Sequence, residues 1–122
     1  MGTLSTGSWM VEFDDRLLAH LQIVIINKFR RGECFLISWL DALAIGDGRS
    51  SVWLTPDSPA YFKFSGSRTP SIDEDWLRRL SASASTSTGL VVVDEAGRPV
   101  RAGDEASLGS VPKSGLGRIP SP

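Results

Sequence analysis

Apolar and polar residues alternate from Trp9 to Phe13, where Met10 and Glu12 separate Trp9, Val11 and Phe13. That period predicts a strand, and the extended Thr3-Leu4 before a turn at Thr6-Gly7-Ser8 completes a predicted β-hairpin. Asp14 or Asp15 then offers a short carboxylate to the free amides of a first helical turn. Beyond them the period lengthens. Leu17, Leu18, Leu21, Val24, Ile25 and Phe29 share one face of a helix predicted from about Asp15 to Arg31, ended by Gly32, with Lys28, Arg30 and Arg31 beside its negative end. Ala19, Ile23 and Ile26 point the other way, so a second layer or a partner, another copy of the chain included, is expected to cover them.

Three strands are expected next: Glu33 to Leu40, Ser50 to Thr55 and Tyr61 to Ser65. Phe35, Ile37 and Trp39 share a face of the first, and Phe62 and Phe64 a face of the third. The turn residues Gly46-Asp47-Gly48 and Pro56 to Pro59 suggest an antiparallel meander. A second helix is read after Pro70, with Ser71 as cap, Glu74 three residues on, and Ile72, Trp76, Leu77 and Leu80 facing the sheet. It is expected to fray over Ser81 to Thr88 before a last strand, Leu90 to Val93. The fold class is therefore α+β: a small, mostly antiparallel sheet with two helices packed on one face, forming a single domain over residues 1–94. Residues 95–122 are dominated by Gly, Ser, Pro and Ala and are read as a disordered tail, with Val100 pairing across Ala96-Gly97 as the one exception.

A formal net charge of -1 in 122 residues gives no overall pull toward nucleic acid or an anionic membrane. The apolar run Leu21 to Ile26 is too short to cross a bilayer, so no membrane partner is expected. Cys34 is the single cysteine, which excludes an intramolecular disulfide and makes the cytoplasm the expected compartment. Its place at the start of an apolar strand predicts a buried, inert thiol.

Few residues are arranged for chemistry. His20 has no second histidine, so no metal site is expected and a packed, hydrogen-bonded ring is the simpler reading. The loop from Gly46 to Ser51 lacks the spacing of a phosphate-binding loop and reads as a hairpin turn. Arg30, Arg31, Arg49, Lys63 and Arg68, with Trp53 and Tyr61 as stacking groups, form a candidate nucleotide or nucleic-acid surface if the turns converge. Lys63 to Arg68, KFSGSR, follows the Lys-x-Asp-Gly-x-Arg box of ATP-dependent DNA ligases, with Ser65 in the aspartate's place.

Phe13-Asp14-Asp15-Arg16, Leu18 to Gln22, Arg30 to Glu33, Gly46 to Ser51 with Trp53-Leu54, and Phe62 to Arg68 together resemble a family of short actinobacterial proteins of unknown function, often labelled ATP-dependent DNA ligase. The label implies Lys63 as an adenylate acceptor working with ATP and Mg; without it no cofactor is expected. Thr55 and Asp73-Glu74-Asp75 depart from the family pattern. The expected function is a small non-catalytic interaction domain that self-associates or binds a protein through Ala19, Ile23 and Ile26. The alternatives are nucleic-acid binding and ligase-like nucleotidyl transfer.

Overall fold

A computed structural model describes residues 1–103. Strands β1 (Gly2–Thr6) and β2 (Trp9–Phe13) form the expected hairpin around Gly7, whose φ of 43° suits glycine. Helix α1 (Asp15–Arg30) starts on Asp14, whose carboxylate accepts from the Arg16 amide at 3.2 Å, and stops at Gly32 with φ 71°.

The expected meander is only half present. β3 (Phe35–Leu40) and β4 (Arg49–Leu54) pair antiparallel, but β5 (Tyr61–Lys63) leaves them and pairs with β1 in register Leu4↔Phe62. Pro56 and Pro59 lack backbone donors to continue a ladder along β4, whereas β1 offers a second edge and shelters Phe62. There are thus two three-stranded sheets in place of one, β2-β1-β5 and, with the late strand β6 (Leu90–Val91), β4-β3-β6. Aromatic contacts tie them together: the Trp39 ring lies 5.9 Å from both Trp9 and Phe13.

Helix α2 (Glu74–Ala84) is capped by Asp73, not Ser71, because the Asp73 carboxylate reaches the Trp76 amide at 3.0 Å. It also persists through Ser81 to Ala84, where Ala84 is buried and the Ser83 hydroxyl donates to Leu80 O. His20 meets Asp73 and Lys28 meets Ser85, so α1 and α2 run side by side in the same direction. Their negative ends lie together, which accounts for Lys28 being buried beside Ser85.

β6 (Leu90–Val91) pairs parallel with β3 and is shorter than expected. Gly89 opens it at φ 81°, with no room for a Cβ, which would lie 2.5 Å from Leu36 O. The chain then turns at Asp94–Arg98 and returns: Val93 bridges Pro99, and Val100 N donates to Val92 O at 3.1 Å. Residues 95–103, assigned to the tail from sequence, thereby bury Val100 and set Arg101 beside Leu40. The remainder of that expected tail lies outside the described residues.

The core joins Leu4, Phe13, Leu17, Leu18, Leu21 and Ile25 to Ile37, Leu80, Leu90 and Val92. Each such side chain contributes about 1.5–3 kcal/mol by leaving water, so both sheets and both helices depend on one another.

Candidate functional site

The ligase-like box begins on β5 and ends in a turn over the start of α1. The backbone amides of Ser65 and Gly66 donate to the two carboxylate oxygens of Asp15, at 3.1 and 3.0 Å. Adjacent acids thus take separate tasks, Asp14 capping the helix and Asp15 holding the turn. Partial desolvation works against the Asp15 charge, but the Gly66 and Ser65 amides outweigh it and hold its carboxyl below the ordinary range. Gly2 passes beneath this junction, where a Cβ would lie 2.5 Å from Lys63 O and 2.8 Å from an Asp15 oxygen. Lys63 itself is exposed, and among the described residues it makes no side-chain hydrogen bond or ion pair.

His20 is fully buried, and both ring nitrogens are engaged. Nε2 accepts from the Asp73 amide at 2.9 Å, so the ring proton sits on Nδ1, which donates to Arg16 O at 2.7 Å. Trp76 stacks on the ring at 4.2 Å between centroids and donates its indole N–H to Val93 O at 2.9 Å. Around this pin, Arg16 donates to Ser71 O and to the Glu95 carboxylate, while Arg79 donates to Glu95 O. The Trp76 amide, with the Arg16 charge nearby, keeps Asp73 below the usual carboxylate range. All of these groups are consumed in joining α1, α2 and the return segment.

The proposed basic and aromatic surface is divided. Arg31 and Trp53 line one groove of about 530 Å³ with Lys28, and Arg30 lines the neighbouring one. Tyr61 and Lys63 belong to the other sheet, Arg49 stands at the opposite end of β4 from Trp53, and Arg68 lies in the exposed loop after β5. Glu33 faces Lys28 Nζ at 3.1 Å and Arg31 at 3.7 Å, and the hydrogen bond from Lys28 holds its carboxyl below the normal range. Cys34 also lines this groove and is exposed, contrary to the expected buried thiol, because β3 starts at Phe35, two residues after the expected Glu33.

Of the three helix residues expected to meet a partner, Ala19 is buried, Ile23 is half-buried and Ile26 is 40% exposed. Among the described residues no group of three or more His, Cys, Asp or Glu is placed to hold a metal ion. Nor is any helix there long and apolar enough to cross a membrane.

The model of a domain of unknown function, DUF7882, matches residues 1–95. The chain belongs to that family. No curated protein and no solved structure matches it. The DUF7882 match contains the whole Asp15 junction and the His20 pin up to Glu95, so the polar network belongs to the family's segment of the chain.

Sequence reasoning missed a third groove, of about 520 Å³, between β2 and the β3–β4 sheet. Trp9, Met10, Trp39 and Val52 supply its apolar lining, Glu12 and Asp41 its charges, and Ala102 and Gly103 one wall beyond the DUF7882 match. Met10, one of its lining residues, is 67% exposed. Among the described residues β2 is the outer strand of its sheet, so a strand edge opens here, bonded by Gly103 N–H at Glu12 O. The alternation that identifies β2 also turns Met10 outward; what the pattern omits is that a second sheet stops short of that edge.

Proposed function

We propose that this chain is a small cytoplasmic interaction domain without catalysis, which binds a protein in the groove between β2 and the β3–β4 sheet. The carrying observation is where an exposed apolar side chain meets a strand edge and an apolar groove: Met10 stands on the outer strand β2, beside a groove lined by Trp39 and Val52. An exposed apolar side chain beside an apolar groove at a strand edge marks a binding surface. The polar groups point the same way by their engagement, since His20, Asp15, Arg16 and Glu95 are already taken up in bonds that hold the fold. The α1 face expected to serve as interface keeps Ile26 as its exposed apolar residue, with Ile23 half-covered, and is the smaller candidate.

A peptide array probed with the full chain tests this. Binding is expected to be lost in Met10→Lys and kept in Ile26→Asp, both variants retaining the wild-type circular dichroism. Loss in Ile26→Asp alone would return the interface to the helix.

A second reading, binding of single-stranded nucleic acid, draws support from Trp53, Arg31 and Lys28 around one groove. Glu33 already engages both cations, which weakens it. It predicts an affinity for oligonucleotides that falls steeply with salt. The ligase-like reading rests on Lys63, Gly66 and Arg68 alone, and the Ser65 and Gly66 amides of that box are committed to Asp15.

A further inference from the structure

The groove lies along a backbone edge that has already accepted one bond. Gly103 N–H donates to Glu12 O at 2.8 Å, so the Glu12 carbonyl faces away from β1. Antiparallel ladders alternate inward and outward residues, which turns the Met10 N–H and C=O to the same open side. A strand laid there would meet Trp39 and Val52 with every second side chain and the groove's charges with the others. Those charges are the carboxylates of Glu12 and Asp41, one Asp41 oxygen accepting from the Ser50 hydroxyl, and among the described residues the groove lining contains no cation.

Resting on the groove reading above, we infer that the occupant is an extended segment of a partner protein, apolar at alternate residues and basic between them, added as a strand to the open edge of β2. Backbone bonds to Met10 supply attachment, and the two carboxylates select the sign of the partner's charge.

Two synthetic heptapeptides, one alternating valine with lysine and one alternating valine with glutamate, test the inference on the full chain by amide chemical shifts. The lysine peptide is expected to bind about tenfold more tightly at low salt, through its exposed ion pairs with the two carboxylates. Shifts are expected to centre on Trp9 to Phe13 and Ser50 to Val52, and Glu12→Gln to narrow the preference. Equal binding of the two peptides, no binding, or shifts centred elsewhere would overturn it. If the peptide-array ligands bind at Met10 yet are neither extended nor basic, the groove reading stands and this inference fails. A photo-crosslinking benzophenone amino acid in place of Met10, irradiated without peptide, examines the other occupants. A crosslink to a second copy, or to the same chain beyond Gly103, would likewise overturn a separate partner and leave the groove in place.

Discussion

The junction at the start of α1 and the groove beside β2 are built from the same hairpin, yet they have opposite surplus. At the junction, Asp14, Asp15, Arg16 and His20 make hydrogen bonds that leave little capacity for a ligand. At the groove, Met10 leaves most of its surface in water and an outer strand keeps an open edge. The contrast teaches that a chemically suggestive string is a candidate for function only where its groups are unspent. Satisfied polar groups stabilise the fold, and unsatisfied apolar ones invite a partner.

The largest effect that would test this contrast is His20→Ala. The substitution strands the Asp73 amide, opens a cavity against Trp76 and removes one of the polar contacts between the two helices. A loss of about 3 kcal/mol is expected, combining a core truncation with an unpaired buried group. Urea unfolding measures it, and a loss below about 1 kcal/mol would mean that the ring is not the pin between the helices.

Asp15→Asn comes next, at about 1–2 kcal/mol, since a charge-assisted pair of bonds to Ser65 and Gly66 is weakened while the shape is kept. Its pH dependence has a definite sign. The Asp15 carboxyl titrates lower in the folded chain than its ordinary value, so its contribution is fully present above the unfolded pKa of about 3.9 and is lost as pH falls through the folded one. The stability difference between wild type and Asp15→Asn should therefore shrink on acidification below about pH 4. A difference that is constant from neutral pH into that range would remove the carboxylate from the junction.

Much of this contrast was legible beforehand, and for local reasons. The β1–β2 hairpin, the limits of α1 and the shared face of Phe35, Ile37 and Trp39 follow from periodicity, a capping acid and a glycine stop, all read within a few residues. What escaped was long-range. Nothing near Tyr61 says that β5 will choose β1 over β4, and that choice separates Tyr61 and Lys63 from Trp53. Ala19 illustrates the same limit: it lies on the helix face opposite the main apolar stripe, yet the tertiary fold buries it. The helix cap moved from Ser71 to Asp73 because His20, far away in sequence, binds the Asp73 amide. The groove is the extreme case, since it exists only where the edges of two sheets and the returning segment come together.

Met10→Lys sharpens the comparison from the groove's side. Its side chain is 67% exposed, so stability should stay within about 0.5 kcal/mol of wild type, while peptide binding is lost. Thermal unfolding beside the binding assay separates the two. A destabilisation comparable to that of Asp15→Asn would make Met10 part of the core and dissolve the distinction between the regions.

The smallest effect is expected at the residue whose motif is most suggestive. Lys63 is exposed on β5, its backbone pairs with Thr3, and its carbonyl closes over Gly2, so the strand uses its main chain and not its ammonium. Lys63→Ala should change stability by less than about 0.5 kcal/mol, as is usual for a surface side chain away from special contacts. Intact-mass spectrometry after incubation with ATP and magnesium should show wild type and variant each at the mass of its unmodified chain. A gain of one AMP in the wild type alone would make Lys63 a nucleophile despite the commitment of the Ser65 and Gly66 amides to Asp15. The junction would then have to open during the reaction, and Asp15→Asn should raise the rate of adduct formation by weakening the bonds that hold it shut.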